Sequence, residues 1–261
     1  MLTALSKVNK KLFSFYLIIV FFAVWEVFPR LGFTNPVFFP TLSSNLAEVG
    51  KIGYFQTFLH VATSLKRVGL GFAAAALIAV PIGFILGGAF KKLERFLKPL
   101  LTFLAHIPPF ILFPVIIVIY GIGEGAIYTV IWWAALWPIM FTTIAGVRQV
   151  NPIYIKSARS MGANSFVIFF RIVIPSVLSS IFNGLKTGMT LSFMMLIGAE
   201  TLGSTSGMGW LIANSQQMGF VPRIYLGVIL VAVIGLAVNY IFEWLENKII
   251  IWKEVVPDKS I

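Results

Sequence analysis

The sequence predicts an all-α, polytopic membrane protein with six transmembrane helices. Hydrophobic residues make up 59% of its 261 residues and charged residues only 11%, whereas a soluble domain carries about 25% charged residues. The apolar residues also occur in long runs, and a helix needs about 20 of them to cross a bilayer. Since no soluble core of this size could bury so much apolar surface, the chain is expected to lie in a membrane.

Six runs are long enough to be spans. The first follows a lysine-rich N-terminus, as in a signal peptide, but it ends at Glu26 and Pro29 with no small-residue cleavage site. We therefore expect it to be retained in the protein. The predicted spans are residues 12–28, 68–90, 100–120, 126–147, 177–199 and 224–244.

The basic residues are distributed asymmetrically over the connections between the spans. Fourteen of the 20 lysines and arginines fall at the two termini and in the second-to-third and fourth-to-fifth connections, and five fall in the other connections. Because basic loops stay on the cytoplasmic side, both termini are predicted to be cytoplasmic. The net charge of +11 is thus assigned to orientation in the membrane rather than to nucleic-acid binding.

Two spans carry small residues at helical spacing. Gly83 and Gly87 lie in the second span, and Gly184 and Gly188 lie in the fifth. Glycines four residues apart let a neighbouring helix approach closely, so both spans are expected to be tightly packed.

The third span is interrupted by adjacent prolines. They remove two backbone donors and break the helix. Broken backbone at membrane depth is tolerated only where protein buries it or where it lines a wet cavity. The break is therefore either a cytoplasmic re-entry corner or part of a translocation pathway. Its residues are His106, Pro108, Pro109 and Phe110.

A polar stripe follows one face of the fifth span, because its members recur every three or four residues. A lysine at membrane depth is costly unless it faces water, a partner or a cavity, although it can also snorkel to the cytoplasmic interface. As a hypothesis, the stripe attracts a small anion and hydrogen-bonds it in transit. It consists of Ser179, Asn183, Lys186, Thr187 and Thr190.

The outer connections contain several polar residues. Residues 30–67 are predicted to be an outer segment with an amphipathic helix at 55–65, on which His60 is solvated or capping. Glu124 is expected to be a solvated turn residue, and the Gly/Ser-rich stretch 203–209 a flexible loop. The candidates for an outer gate or for contact with an external partner are Glu200, Ser204, Thr205 and Ser206.

A basic, helix-forming stretch, residues 149–175, separates the fourth and fifth spans. Asn151 can cap a helix and Pro152 fits its first turn. Gly162 is expected to stop or bend this helix, and Pro175 is expected to close the apolar run that follows. The helix is either an amphipathic element on the membrane surface or a docking element. Its apolar stripe is Ile155, Ala158 and Met161.

This stretch resembles the cytoplasmic loop motif of bacterial ABC-importer permeases, in which E-A-A is followed by three residues, a glycine, nine residues and I-x-L-P. Every spacing fits. Lys156 reverses the charge of the acidic residue of the motif, so the acidic contact of that family with its ATPase is not carried over. Ser157 replaces an alanine. The matching positions are Lys156, Ser157, Ala158, Gly162, Ile172, Ile174 and Pro175.

Residues 63–217 contain further runs in the order found in one group of these permeases, the nitrate/sulfonate/taurine group, which they resemble. The runs are SLKRVGLGF, LAHIPPF, YGIGE, AGVRQVNP, GLKTGMTL and AETLGSTSGMGWLI.

The resemblance implies a type I permease fold of six spans, formed by residues 1–261 as one domain in a bacterial inner membrane. It also implies a homodimer around one pathway, two cytoplasmic ATPase subunits, an external solute-binding protein, and a small anionic or zwitterionic cargo such as nitrate, sulfonate or taurine. Residues 149–175 would be the coupling loop. Its docking residues would be Pro152, Ile155, Lys156, Ser157, Ala158, Arg159, Met161 and Gly162.

The sequence offers nothing for catalysis by the chain itself. It has no Gly-rich loop ending in Gly-Lys-Ser/Thr, no HExxH and no cysteine. We therefore expect no cofactor or metal on this chain and no enzymatic activity, with ATP and Mg bound by the partner ATPase. Coupling is then expected to be mechanical.

Two other functions would require different sequence features. An ion-coupled secondary transporter should carry intramembrane carboxylates and inverted repeats, whereas only Glu26 and Glu200 lie near span ends. A membrane scaffold without transport activity should lack a polar stripe.

Overall fold

Helices account for most of the residues that the computed structural model describes, which are residues 2–250, with side chains from residue 16 onward. No β-strand occurs within that range, in agreement with the predicted all-α class. The α-helices in chain order are α1 (Leu2–Arg30), α2 (Leu42–Ile52), α3 (Tyr54–Phe84), α4 (Lys91–Ala105), α5 (Pro109–Tyr120), α6 (Glu124–Gln149), α7 (Pro152–Ser160), α8 (Ser165–Ile168), α9 (Ile174–Gly203), α10 (Met208–Gln217) and α11 (Val221–Ile249).

Four helical bodies in the described part of the chain are long and apolar enough to cross a membrane, and the bent pair of α4 and α5 would make a fifth. The first predicted span lies within α1, and part of it falls outside the residues whose side chains are described. The total of six spans thus stays a prediction. The four bodies are Tyr54–Ala89, Glu124–Gln149, Ser165–Gly203 and Val221–Ile249.

The helix α3 begins at Tyr54, well before the predicted span. The helix predicted over residues 55–65 is confirmed, but it is continuous with the second predicted span, since these residues form the first part of α3. No glycine or proline lies between Tyr54 and Val68, so nothing in the backbone interrupts the helix there.

Two π-helical turns continue the long helices. The first π turn (Ile85–Ala89) extends α3, and the second (Phe169–Val173) joins α8 to α9. In the second turn the N–H of Ile174 donates to the carbonyl of Phe169, five residues earlier. The prediction that Pro175 closes the apolar run is wrong, because Pro175 occupies the first turn of α9 and the helical body Ser165–Gly203 continues through it. Proline is tolerated in a first turn, where its missing N–H is not required.

The helix α6 lies at the centre of the fold, packed between α3 and α9. Ile127, Ile131 and Ile139 on α6 are fully buried. The predicted close approach of glycines is confirmed. A Cβ on Gly83 would lie 2.6 Å from the Cβ of Thr143, and one on Gly184 would lie 3.1 Å from the Cα of Ile139. Because these glycines have no side chain, α3 and α9 can pack directly against the backbone of α6.

The predicted break of the third span is confirmed. The helices α4 and α5 meet at an angle of 85° across residues 106–108. Pro108 is extended and caps α5, and Pro109 occupies its first turn. The break follows from the two prolines, since neither has an N–H to continue the helix.

The glycine contact of α3 with α6 provides a test of this packing. We expect Gly83→Leu to lower the free energy of unfolding by about 1–3 kcal/mol, the usual cost of overpacking, and to lower the melting temperature in detergent measured by tryptophan fluorescence. Gly69→Leu on the same helix is the matched control, because a Cβ there meets nothing within 4 Å. Equal melting temperatures for the two variants would contradict the close packing.

Candidate functional sites

The helix α7 is fixed at both ends by its own sequence. At the start, the side-chain oxygen of Asn151 accepts a hydrogen bond from the N–H of Ile153 at 2.9 Å. At the end, Gly162 adopts a φ of +82°, and its N–H donates to the carbonyl of Arg159 at 3.0 Å. The N–H of Ala163 donates to the carbonyl of Ala158 at 3.0 Å. This pair of bonds is a Schellman motif, which confirms that Gly162 ends the helix.

The inner face of α7 differs from the predicted docking stripe. Ala158 is buried and Ile155 is half-buried against the chain's own helices. Because these two residues are three apart, they share the face that turns toward the chain itself. Ala158 is therefore not available to a separate subunit in this conformation, whereas Ile155 is only half-buried. Docking through this stripe stays a prediction. Of its three members only Met161 is exposed.

The outer face of α7 carries Tyr154, Ser157 and Met161, at i, i+3 and i+7. All three are exposed, and Ile153 beside them is exposed as well. Three apolar side chains therefore surround the serine on the outside of a capped helix. The other predicted docking residues, Pro152, Lys156, Arg159 and Gly162, are also exposed.

The polar stripe of the fifth span lies on α9, on the side away from α6. Asn183, Thr187 and Thr190 are exposed and Lys186 is half-buried, whereas Gly184 faces α6. The hydroxyl of Thr187 donates to the carbonyl of Asn183 at 2.9 Å, and that of Thr190 to the carbonyl of Lys186 at 3.0 Å. Both hydroxyl protons are used within the helix, so each oxygen is left as an acceptor.

Lys186 borders a groove between α9 and α11 with a volume of ≈ 230 Å³. Most of the lining is apolar, with Phe193 and Phe242 among its members, and Asn239 adds a polar group. Among the residues that the structure describes, Lys186 forms no ion pair. The groove and the exposed stripe thus offer one cation and several acceptors on one side of α9.

The break between α4 and α5 packs against two neighbours. The indole N–H of Trp133 on α6 donates to the carbonyl of Ile107 at 3.4 Å. The Phe110 ring lies beside Gly198 of α9, where an added Cβ would be 3.1 Å from the ring. His106 and Pro108 are exposed, and Nδ1 of His106 is 2.7 Å from the carbonyl of Thr102. The corner and pathway interpretations both stay open.

A buried ion-pair network, which the sequence did not predict, joins α3 to the start of α6 and the end of α9, on the side that is predicted to be the outer one. We call it the outer cluster; it consists of Ser64, Arg67, Glu124 and Glu200. Arg67 is 3% exposed and Glu200 is fully buried. Nη1 of Arg67 donates to Glu200 at 2.8 Å, and its Nε donates to Glu124 at 3.0 Å. The hydroxyl of Ser64 lies 2.8 Å from both carboxylate oxygens of Glu200.

The outer cluster binds the backbone of the Gly/Ser-rich loop. Arg67 donates to the carbonyl of Ser206 at 2.6 Å, and the N–H of Gly209 donates to Glu200 at 2.9 Å. The N–H of Met208 donates to Ser64 at 2.9 Å. Composition suggested a flexible loop, but hydrogen bonds from the side chains of Arg67, Ser64 and Glu200 hold its backbone, so that prediction is corrected.

Three further expectations change with the outer cluster. Glu124 is not simply solvated, since it pairs with Arg67. Glu200 cannot touch an external partner while it is buried. Of the remaining outer candidates, Thr205 is exposed and Ser204 and Ser206 are half-buried.

His60 also belongs to this region. Its Nδ1 accepts the N–H of Gly207 at 3.1 Å, and its ring stacks on Trp210 at 5.3 Å. The residues His60, Ser64 and Arg67 recur at i, i+4 and i+7 on α3. This helical spacing of polar residues was the available signal, and it indicated one polar face within an apolar helix.

A second set of ion pairs joins α2 to α11. Glu48 is buried and accepts from Lys51 at 2.7 Å and from Arg223 at 3.2 Å. Burial acts to raise the pKa of Glu48, but the hydrogen bonds and charges of Lys51 and Arg223 outweigh it and hold the pKa below its ordinary value. The carboxylate is therefore ionised at neutral pH and fastens the two helices together.

The residues that the structure describes include no group of three or more histidine, aspartate or glutamate side chains arranged to hold a metal ion.

Comparison with known proteins gives concordant matches. A family model described as "Binding-protein-dependent transport system inner membrane component" matches residues 79–251. The taurine transport system permease protein TauC of Escherichia coli K12 is 26% identical over 239 residues, which cover 89% of this chain and 86% of TauC. The bicarbonate transport system permease protein CmpB of Synechococcus elongatus is 30% identical over 249 residues, which cover 89% of this chain and 87% of CmpB.

Solved structures include a similar fold. A chain of the MetNI methionine ABC transporter, in an inward-facing conformation, superposes with a TM-score of 0.63 at 18% identity. The match covers 75% of this chain and 95% of the MetNI chain. At this level of identity the likeness concerns the fold alone.

The outer cluster leads to a stability prediction. Arg67→Leu leaves the buried Glu200 without its cation, and removing one partner of a buried pair costs about 3–5 kcal/mol. We expect a lower melting temperature and faster proteolysis in the loop 203–209. Adding Glu200→Gln to this variant is expected to restore part of the loss, because no buried charge then remains unpaired.

Lys66→Leu is the control for this experiment, since Lys66 is the exposed neighbour of Arg67. It is expected to leave the melting temperature and the loop unchanged. If Arg67→Leu behaves as this control does, the network does not hold the loop.

Proposed function

The chain belongs to the family of binding-protein-dependent transport system inner membrane components, and from this premise we propose that it is the permease subunit of an ATP-driven importer of a small anion or zwitterion. The family match covers residues 79–251, which include the predicted coupling loop and the last four predicted spans. The proposal extends the family assignment to an inner-membrane domain of six spans, residues 1–261, with both termini in the cytoplasm.

The single observation that carries this proposal is the geometry of α7. The helix is capped at both ends, packs on its own chain through Ala158, and presents Tyr154 and Met161 outward. A short rigid helix of this kind can transmit force, because it cannot fray at either end. We propose that its outer face docks into a groove of a cytoplasmic ATPase, which binds ATP and Mg.

Docking in this account depends on packing rather than on charge. The motif position that is acidic in the family is Lys156 here, and Lys156 is exposed beside Arg159. Lys156 carries the proposed charge selectivity, for an acidic rim on the ATPase, whereas Arg159 also lines the cavity behind α7. When the two ATPase subunits close, each α7 moves with its subunit, and the continuous body Ser165–Gly203 carries that motion through the membrane.

The proposed assembly contains a second copy of this chain, two ATPase subunits and an external solute-binding protein. Exposed apolar side chains on the described part of α1 agree with a helix that faces lipid or another protomer. Thr205, Ser204 and Ser206 form the accessible part of the outer loop and are the proposed contact for the binding protein or the outer gate. Glu200 and Arg67 would act there indirectly, by holding the loop in shape.

The proposed pathway follows the polar stripe of α9 and the break between α4 and α5. Lys186 supplies a positive charge, and Asn183, Thr187 and Thr190 supply hydrogen-bonding groups. The names of TauC and CmpB state a zwitterion, taurine, and an anion, bicarbonate, and a cation beside acceptors suits both. His106, Pro108, Pro109 and Phe110 would form the turn that borders this pathway.

A competing function, ion-coupled secondary transport, would need a buried carboxylate that takes up and releases the coupling ion. Of the buried carboxylates in the described part of the chain, Glu48 pairs with Lys51 and Arg223, and Glu94 pairs with Arg148. Glu200 is the most deeply buried, but Arg67, Ser64 and the N–H of Gly209 already occupy its oxygens. This arrangement favours a structural role for Glu200 and leaves the energy source to a separate ATPase.

Docking through α7 can be tested with two tyrosines. Tyr154→Asp places a charge on the proposed docking face, and disrupting a central contact costs about 2 kcal/mol or more. We expect the ATPase subunit to be lost from the purified complex and transport-coupled ATP hydrolysis to fall. Tyr54→Asp is the control, because Tyr54 is also exposed, at 78% against 59% for Tyr154, and lies on α3 rather than on α7. Normal assembly of the Tyr154 variant would refute docking through this face.

Ala158→Asp is not a suitable probe of docking. Because Ala158 is buried in the chain itself, this change would disturb the permease before it affected a partner.

The role of Lys186 can be tested by uptake into proteoliposomes. Lys186→Met is expected to lower nitrate uptake about tenfold or more, since a hydrogen bond to a charged group contributes about 1.5–3 kcal/mol. Uptake of taurine, whose net charge is zero, should fall less, and Lys186→Arg should retain nitrate uptake. Unchanged nitrate uptake by Lys186→Met at equal protein levels would remove Lys186 from the pathway.

A further inference from the structure

A cavity of ≈ 660 Å³ lies behind α7, between the ends of α3 and α6 and the start of the helical body Ser165–Gly203. Its volume falls within the range of about 300–1,000 Å³ that is usual for small-molecule sites. The proposed docking face of α7 points away from it, since the cavity is lined by Ile155 of the inner face. The cavity therefore has no part in the coupling contact proposed above.

Both π-helical turns border this one cavity. Ile85 and Gly88 line it from the first turn, and Phe169 and Val173 line it from the second. Such turns are rare and are found frequently at functional sites. Phe84 and Phe169 meet edge to face, with ring centroids 5.4 Å apart. Each π turn widens its own helix, α3 or the α8–α9 body, and both turns lie at the cavity. Apolar side chains form the cavity wall between the two turns.

The rim of the cavity is basic. Lys91, Arg148 and Arg159 line it, and none of the described lining residues is acidic. Arg148 is paired with Glu94. Lys91 and Arg159 are exposed and form no ion pair with any residue in the described part of the chain. Two available cations therefore stand beside an apolar space.

We propose that this cavity binds an anionic phospholipid, with its phosphate on Lys91 and Arg159 and an acyl chain along Phe84, Ile85 and Phe169. A soluble anion would satisfy the cations but not the apolar wall, and a neutral lipid would do the reverse. The rim also belongs to the lysine- and arginine-rich connections, which adjoin the anionic leaflet. Basic pockets between helices on this side of a membrane are suited to anionic headgroups.

A bound phospholipid would connect parts of the chain that touch little otherwise. Its phosphate would bridge Lys91 at the start of α4 and Arg159 on α7, and its chain would fill the space between the two π turns. The coupling loop would then move together with the end of α3, and transport would depend on the anionic lipid content of the membrane.

The test uses the full chain assembled with its ATPase. The complex is purified, placed in mixed micelles with phosphatidylglycerol or phosphatidylcholine, and its retained lipid is counted by native mass spectrometry. We expect the wild-type complex to retain phosphatidylglycerol selectively. The variant Lys91→Ala/Arg159→Ala should retain it about 30-fold less well, the effect of two basic residues at a lipid surface.

Two further variants separate the contributions of charge and shape. Lys92→Ala/Arg95→Ala removes the same charge from exposed positions of α4 that do not line the cavity, and it should retain phosphatidylglycerol normally. Gly88→Leu fills the cavity without changing its charge; an added Cβ there makes only an ordinary contact, 3.5 Å from Val147. This variant should lose the lipid and keep its ATPase.

Several outcomes would overturn the proposal. One is equal retention by the wild type and Lys91→Ala/Arg159→Ala, and another is equal loss in the Lys92→Ala/Arg95→Ala control, which would indicate net charge alone. Equal retention of phosphatidylcholine would indicate an apolar contact only. Displacement of the lipid by millimolar inorganic phosphate would indicate a site for a soluble anion. Retention by the isolated chain but not by the assembled complex would assign the cavity to the ATPase.

Discussion

A polar group at membrane depth must find its partner inside the protein, and this constraint governs most of the structure. Each unsatisfied group in hydrocarbon costs several kcal/mol. The threonines of α9 bond back to their own helix, and the indole of Trp133 donates to a carbonyl freed at the proline break. Arg67 and Glu200 neutralise each other in the interior and use their remaining capacity on the backbone of the outer loop. The same requirement keeps nearly all of the backbone helical.

The need to satisfy polar groups inside the protein divides the chain into a tightly packed centre and exposed surfaces that can contact other molecules. The centre of the fold is close-packed, because glycines of α3 and α9 lie directly on α6. The polar stripe of α9, the outer face of α7 and the described part of α1 remain exposed in a single chain. A permease that works as a dimer with motor subunits needs such surfaces: one for its cargo, one for its motor and one for lipid or its second copy.

The proposed mechanism depends on how motion crosses the membrane. The second π turn keeps α8 and α9 in one helical body despite Pro175. A break at this proline would have separated the coupling loop from the polar stripe, whereas the continuous helix connects them directly. The cavity between the two π turns lies beside this connection, so a lipid bound there would act at the point where the loop meets the spans.

The sequence by itself determined the fold class, the break at Pro108 and Pro109, the two ends of α7 and the glycine contacts. Each depends on local chemistry: apolar length, missing N–H groups, capping side chains and absent Cβ atoms. Tertiary structure alone decided which face of α7 is buried, how Pro175 is accommodated, and that Glu200, Arg67 and Glu124 meet. Glu124 and Glu200 lie 57 and 133 positions from Arg67 along the chain. Helical periodicity predicts which residues share a face of a helix, but not which other helix that face contacts. Only the packing of α3, α6 and α9 brings those charges together. Once they are buried, the low dielectric of the interior makes each charge depend on its partners.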